Sequence, residues 1–273
     1  MQTDFLSQPS ICHLLKTVPV QLLRRGNEIG YGWAIAQKIA ALNRVSAQVA
    51  AQHLLPLIHH SLADSEFPTW LSVPAHVLPH LQVTAGETGL IRLVLTDIAI
   101  AGWCEWVLQI PGEFFAKPVP AKGELSPTLE FRLQHSHARC CSLLHLAQRE
   151  GRLLNLQTAT GYYQWVESQP VAWLDPAQIL LLQHPSETQL IRVLFHGIHS
   201  WQASAPITFQ QRVKIADSLA TAFQNFHRDR PLWVNCSAQA QKIQLAQLAL
   251  LTLTQNVLYG VLSSLAIAAP AEL

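Results

Sequence analysis

The sequence predicts a mainly α-helical protein in which a C-terminal α-helical bundle follows a small α/β (α+β) N-terminal domain. Three observations lead to this fold class. Residues 186–265 place apolar side chains at three- and four-residue spacings over almost their whole length, as helices do. A short apolar run at residues 90–95 follows Gly86 and Gly89 and favours a strand. Prolines, glycines and polar residues gather at 111–128 and separate the two parts.

The N-terminal part is predicted to open with helices. Apolar residues recur at helical spacing from residue 14 to about residue 62, and prolines between Pro68 and Pro79 end that pattern. The apolar run at 90–95 is the predicted strand. Asp97 then has the position of an N-cap, so a helix is expected after the strand.

The proline-rich stretch at 111–128 predicts a linker between a domain at 1–110 and a domain at 129–273. Beyond the linker, one helical face is formed by Leu133, His137, Cys140, Leu144 and Ala147, and Gly151 is predicted to end that helix. Segments 153–166 and 171–183 could pair as strands or pack against the bundle, and the pattern leaves both open. The last helix, near residues 243–265, is apolar on all sides and is predicted to be buried nearly all round.

Composition and charge exclude some functional classes. Hydrophobic residues make up 49% of the chain, charged residues 13%, and the net charge is +1. A chain so apolar is not predicted to be disordered. Proteins that hold nucleic acid by bulk charge carry a clear basic excess, so a nucleic-acid partner of this chain would have to be held by shape and a few placed contacts.

Cellular location is predicted from two features. The five cysteines are scattered without a Cys-x-x-Cys pair, which indicates reduced, packed thiols. Residues 1–10 lack the apolar run of a secretory signal, so a cytoplasmic location is expected. The apolar stretch at 248–265 contains six polar side chains, which favours a buried core helix over a membrane span, and no membrane partner is expected.

Motifs for nucleotide binding and nucleophilic catalysis do not occur. The sequence contains no Gly-x-Gly-x-x-Gly, no Gly-x-x-x-x-Gly-Lys-Ser/Thr and no Gly-x-Ser-x-Gly. The thirteen histidines include close pairs such as His196 and His199, but zinc requires three or four convergent ligands. No metal and no other cofactor is therefore predicted.

The C-terminal half carries four motifs in an order that points to one family. Residues 134–144 read Gln-His-Ser-His-Ala-Arg-Cys-Cys-Ser-Leu-Leu, residues 184–192 begin His-Pro-Ser-Glu, and residues 219–231 contain Leu-Ala, Phe-Gln-Asn-Phe and a final Pro. Residues 248–273 read Leu-Ala-Leu at their start and Ile-Ala-Ala-Pro near their end. In this order the motifs resemble the DALR anticodon-binding domain of arginyl-tRNA synthetases. The resemblance implies a helical bundle that binds tRNA.

Residues 1–110 bear a weaker resemblance to the tRNA-elbow-binding N-terminal domain of the same synthetases. It rests on the alanines of 36–50 and on the Ala-Gly-Glu-Thr-Gly-Leu-Ile run at 85–91. In that family an ATP-binding catalytic domain with H-I-G-H and K-M-S-K-S signatures lies between the two domains. Here only 111–128 stands in its place and neither signature occurs, so the chain is expected not to be an enzyme.

Anticodon bases are recognised by stacking on aromatic or arginine planes and by hydrogen bonds to their edges. The candidate tRNA-binding residues are Gln134, His137, Arg139, Arg192, Arg212, Lys214, Asn225 and His227. Arg139 could equally bridge two packed helices. Arg228 and Arg230 flank Asp229 and are predicted to lie in a solvated turn. The family's Phe-Tyr pair is replaced here by Phe226 and His227, and basic residues before the last helix are replaced by glutamines.

Two functional hypotheses follow. The first is a non-catalytic tRNA-binding adaptor, for arginine tRNA on the strength of the resemblance, acting with a synthetase or a tRNA-modifying enzyme. The second is a repurposed protein–protein interaction or regulatory scaffold that no longer binds RNA, which is favoured by the near-zero charge and the mean hydropathy of +0.19. A basic track on the surface would support the first hypothesis, and an exposed apolar patch would support the second.

Overall fold

The computed structural model describes residues 18–23, 28–63, 71, 73–110, 114, 123–153, 156–159, 161–165, 170–202, 207–230, 232 and 237–272. Its packing divides the chain into two compact units, Met1–Gly102 and Trp103–Leu273. Most of the predicted linker, 111–113 and 115–122, lies outside the described residues. The protein is mainly helical and includes a small antiparallel sheet, as the sequence predicts.

The N-terminal unit combines a four-stranded antiparallel sheet with helices. Its elements are β1 (Val20–Leu22), β2 (Gly30–Trp33), α1 (Ile35–Asn43), α2 (Ala47–Ala63), a 3-10 helix (Ala75–His80), β3 (Leu81–Ala85), β4 (Ile91–Leu95) and the start of α3 (Asp97–Gln109). The strand order is β1-β2-β4-β3. Residues on β4 alternate between fully and partly buried, and Tyr31 and Trp33 on β2 are fully buried in the core.

The prediction of helix from 14 to about 62 is wrong at its start. Residues 14–17 lie outside the described part, and β1 and β2 occupy 20–22 and 30–33. Strand pairing explains the difference, because β2 lies between β1 and β4 and is hydrogen-bonded to both. The strand predicted at 90–95 is confirmed as β4, and α3 follows it. Its cap is one residue earlier than predicted, since the Thr96 hydroxyl accepts a hydrogen bond from the Ala99 N–H at 3.3 Å.

The C-terminal unit is a bundle of long helices with a β-hairpin. Its elements after α3 are α4 (Pro127–Arg149), β5 (Leu156–Ala159), β6 (Tyr162–Trp165), α5 (Pro185–Gln202), α6 (Phe209–Asp229) and α7 (Ala238–Ser264). The first ambiguous segment thus forms a hairpin, in which β5 pairs antiparallel with β6. The second, 171–183, contains no helix and only the isolated bridge Leu174–Leu180.

Helix α7 is the core of this unit. Its residues from Ala246 to Leu258 are all buried, which confirms the predicted burial on all sides. Residues Gln239–Ser264 are long and apolar enough to cross a membrane by length and composition alone, but 89% of the most apolar 18-residue stretch within them is buried inside the protein. A core helix meets the same criterion, so packing accounts for the apolar sequence. Cys104, Cys140 and Cys141 are buried free thiols, as predicted, and Cys12 and Cys236 lie outside the described residues.

Candidate nucleic-acid interface

Helix α4 presents two faces of different chemistry. Ser126 caps its N-terminus by accepting a hydrogen bond from the Leu129 N–H, and Pro127 occupies the first turn. The inward face buries nine side chains, among them Leu133, His137 and Leu144. Phe131, His135 and Arg139 recur every four residues and therefore share one exposed face. Phe131 is 60% exposed, an unusual position for a large aromatic side chain.

Two adjacent cavities lie between this exposed face and α6. The first, of about 490 Å³, is lined by Ser126, Thr128, Leu129, Phe131, Arg132, His135 and Gln224. The second, of about 330 Å³, is lined by His135, Arg139, Phe223, Gln224, His227 and Arg228. His135 and Gln224 line both cavities, so the two adjoin, and together they are named the α4–α6 groove.

Polar contacts join the two helices along the groove. Arg132 on α4 forms an ion pair with Asp217 on α6. The amide of Gln224 donates to the hydroxyl of Ser136 at 3.2 Å, and that hydroxyl donates to the carbonyl of Arg132 at 2.9 Å. These contacts fix the spacing of α4 and α6 along the groove.

Arg139 and His227 meet at the second cavity. The Nε–H of Arg139 donates to Nε2 of His227 at 3.2 Å. The imidazole lies parallel to the ring of Phe223, with ring centroids 6.0 Å apart, and this stacking sets its orientation. Burial and the charge of Arg139 lower the pKa of His227, so the ring is neutral at pH 7. Nδ1 of His227 is buried without a hydrogen-bond partner.

The lining of the α4–α6 groove is aromatic, polar and cationic. None of the described residues that line it is acidic. The exposed ring of Phe131 and the imidazole of His135 offer flat surfaces, and Arg139 and Arg228 offer guanidinium donors. Aromatic planes beside cations are the features that bind unstacked nucleic-acid bases and their phosphates.

Two of the predicted site residues instead hold the C-terminal segment. The amide of Gln134 donates to the carbonyl of Ala268 at 3.3 Å, and Nδ1 of His137 lies 2.8 Å from the carbonyl of Pro270. His137 is only 2% exposed, and its Nε2 lies 2.9 Å from the amide nitrogen of Gln255. Both nitrogens of His137 thus have partners within the protein, so the groove does not include it.

Four other predicted residues lie away from the groove. Arg212 is 3% exposed, and its guanidinium stacks over the Trp201 ring at 5.1 Å, so it is a packing residue. Arg192 is half-buried on α5, where it donates to Gln189 at 3.1 Å. Lys214 is exposed and Asn225 is half-buried on α6, and neither lines the groove.

Of the predicted residues, the structure therefore brings only Arg139 and His227 together in the groove. Phe131, His135 and Gln224 were not predicted, although the four-residue spacing of Phe131, His135 and Arg139 is visible in the sequence. Arg228 is solvent-exposed, as predicted, but lies in the last helical turn of α6, and Arg230 at the helix C-cap is half-buried and paired with Glu187. Arg228 is paired with Asp229 at 2.8 Å and lines the groove.

Metal binding has no support among the described residues, since they contain no group of three or more His, Cys, Asp or Glu side chains that could hold an ion. Comparisons of the chain with protein-family models, with curated proteins and with solved structures found no match.

Proposed function

We propose that this chain is a non-catalytic tRNA-binding adaptor that holds tRNA in the α4–α6 groove, and that arginine tRNA is its ligand. The proposal rests on one observation: the exposed Phe131 lies in the same groove as Arg139 and His227, and the described lining of that groove has no acidic residue. The order of the four C-terminal motifs supports the choice of tRNA, because they resemble the anticodon-binding domain of arginyl-tRNA synthetases. The choice of arginine tRNA rests on that resemblance alone.

The charges of the protein favour RNA binding through a specific arginine–phosphate contact in the groove over binding through a broad basic surface. With a net charge of +1 the chain does not attract RNA by its overall field. Arg139 is exposed on α4 and has no carboxylate partner among the described residues, whereas Arg132 and Arg228 are each paired with an aspartate. Arg139 is thus the guanidinium of the groove that is available to a phosphate.

A gel-shift titration tests the proposal with arginine tRNA, a non-cognate tRNA and an anticodon variant, at about 50 and about 150 mM salt. We expect selective binding that weakens as salt rises, because each phosphate contact releases counterions. Arg139→Gln should weaken binding and reduce the salt slope by about 0.7 to 0.9. Phe131→Ala should cost about 1 to 3 kcal/mol of binding free energy if a base stacks on the ring.

Arg149→Gln is the matched control, because Arg149 is exposed on the same helix and does not line the groove. It should bind tRNA as the unchanged protein does. Absence of binding to every tRNA would refute the proposal. Equal losses of tRNA affinity in Arg139→Gln and Arg149→Gln would show that tRNA does not bind in the groove.

A second candidate function is a protein-interaction scaffold. It is favoured by large apolar side chains exposed on α1 and α2 of the N-terminal unit, where Leu42 is 64%, Val49 39% and Leu57 42% exposed. Exposed apolar residues of this size are typical of contact surfaces when they adjoin. The same titration separates the two functions, since a scaffold that has lost RNA would bind none of the three tRNAs.

A further inference from the structure

We propose that Arg139 and His227 form a subsite for a phosphoryl group in the α4–α6 groove, and that an anion bound there brings one proton onto His227. The inference rests on the proposed function where it takes an RNA phosphodiester as the natural ligand. The subsite itself depends only on the geometry of the two side chains.

The present contact between these residues fixes the protonation state of the imidazole. Arg139 can only donate hydrogen bonds, so Nε2 of His227, 3.2 Å from its Nε, must accept and carries no proton. The single proton of the neutral ring is therefore on Nδ1, which is buried and without a partner. A buried N–H without an acceptor is unfavourable, so the unoccupied pair is not an optimal arrangement.

A phosphoryl group would change this arrangement. Its oxygens accept from guanidinium donors, and of the five N–H groups of Arg139 only Nε–H has a partner among the described residues. With the anion bound, Arg139 Nε–H turns from His227 to a phosphoryl oxygen. Nε2 of His227 then takes a proton from solvent and donates it in a hydrogen bond to a second oxygen. The negative charge offsets the repulsion between the guanidinium and the imidazolium.

The ring of Phe223 favours the same change. It lies parallel to the imidazole, one helical turn away on α6. An aromatic face stabilises a nearby cation, and a charged imidazolium benefits more than a neutral ring.

No described charge near His227 stabilises its protonated form, so a bound anion is needed for that. Arg139 is the charged group whose field acts on His227. His135 on α4 and Arg228 on α6 also line the cavity. Three described carboxylates on the elements around the groove are paired with arginines: Asp217 with Arg132, Asp229 with Arg228, and Glu187 on α5 with Arg230. Glu130 lies in the first turn of α4, nine residues before Arg139 and so about 14 Å from it along the helix axis. The one charged side chain of α7 is Lys242. No described carboxylate therefore stands ready to neutralise Arg139 or to raise the pKa of His227.

The test measures anion binding by the full chain at about pH 7.5 and about pH 5.5, at constant ionic strength. Two probes distinguish a free anion from an RNA phosphodiester as the ligand. Sulfate stands in for free phosphate, and a 5′-hydroxyl oligoribonucleotide with the anticodon-loop sequence of arginine tRNA supplies phosphodiesters. The charge of either probe does not change between these pH values, so a change in affinity reports the protein. One linked proton changes affinity by at most tenfold per pH unit, and we expect about tenfold tighter binding at the lower pH.

Variants test whether the proton taken up on anion binding is on His227. His227→Gln and His227→Tyr should bind the probes with less than about twofold pH dependence, whereas His135→Gln should keep most of it. His59→Gln, an exposed histidine of α2, is the matched control and should behave as the unchanged protein does. Arg139→Gln should weaken both probes at both pH values. In the unchanged protein, the NMR signal that is lost in the His227 variants should titrate at a higher pH once sulfate is added.

The outcomes separate this inference from the proposed function. Oligonucleotide binding without pH dependence, or pH dependence that follows His135 instead of His227, would overturn the subsite and leave tRNA binding intact. Sulfate binding that requires Arg139 and His227, together with no RNA binding, would support the subsite and refute the proposed function. Binding of neither probe would overturn both.

Discussion

Replacing His137 by alanine should destabilise the C-terminal unit while leaving RNA binding by the folded protein unchanged. The imidazole is 2% exposed and connects three parts of the unit. The Pro270 carbonyl can only accept, so Nδ1 of His137 donates to it at 2.8 Å, and Nε2 then accepts from the amide of Gln255 at 2.9 Å. The ring also lies 5.8 Å from that of Tyr259, between centroids.

The expected loss of stability can be worked from these contacts. Each of the two hydrogen bonds contributes about 1 kcal/mol net, and the Pro270 carbonyl loses this partner. Removing most of a buried ring leaves a cavity that costs about 2 kcal/mol more. Together we expect His137→Ala to lower the free energy of unfolding by about 4 kcal/mol.

His135→Ala is the matched control, because His135 is on the same helix but exposed. Its cost should stay within about 0.5 kcal/mol, as for most surface changes. Urea unfolding followed by hydrogen exchange is the suitable assay, since amides of α4 and α7 report the C-terminal unit separately from the N-terminal unit. If His137→Ala costs no more than His135→Ala, the buried hydrogen bonds of His137 do not stabilise the fold.

Three further predictions concern stability. Glu187→Gln should cost about 3 kcal/mol in urea unfolding, because the buried carboxylate is paired with an arginine and accepts a 2.7 Å hydrogen bond from Gln247; a loss below about 1 kcal/mol would contradict this. Burial and the neighbouring His196 lower the pKa of His199 to about 4 in the folded protein. As the pH falls below about 6.5, the His199 ring is therefore protonated in the unfolded chain before it is protonated in the folded one. The free energy of unfolding should then fall by about 3 kcal/mol between pH 6.5 and pH 4, and His199→Gln should flatten that dependence; an equally steep fall in His199→Gln would contradict the prediction. Gly89→Ala should destabilise the N-terminal unit by about 2 kcal/mol in thermal unfolding, because φ is +76° and a Cβ would lie 2.5 Å from that of Ala47; Gly86→Ala, where a Cβ finds ordinary contact at 3.6 Å, is the near-neutral control.

Local patterns in the sequence were sufficient for the elements that depend on local interactions. The stripe of α7 predicted its burial on all sides, and the apolar run after Gly89 predicted β4. The failure at 20–33 has a physical cause. The alternation of Gly30-Tyr31-Gly32-Trp33 is that of a strand, but it is too short to outweigh the helical spacing around it. Pairing with β4, some sixty residues later in the chain, decides its conformation.

The candidate site was predictable on one wall only. Phe131, His135 and Arg139 follow helical spacing, so their common face can be derived from the sequence. The opposite wall cannot be derived in this way, because His227 reaches Arg139 across 88 residues through the packing of α4 against α6. The same packing turns Arg212 inward, which its charge did not predict, whereas His137 lies inward with the apolar residues that share its face of α4.

Where the residues of the four C-terminal motifs lie in the structure determines whether those motifs indicate a function or only a fold. Most of them serve the fold: Gln134 and His137 hold the C-terminal segment, and Phe223 and Phe226 are buried in the bundle. The stability of the fold therefore requires these residues whether or not the protein binds RNA. Arg139 is different, because it is exposed and its guanidinium faces the groove. Substitutions on the exposed face of α4 therefore discriminate between an adaptor and a scaffold, whereas substitutions of the buried motif residues do not.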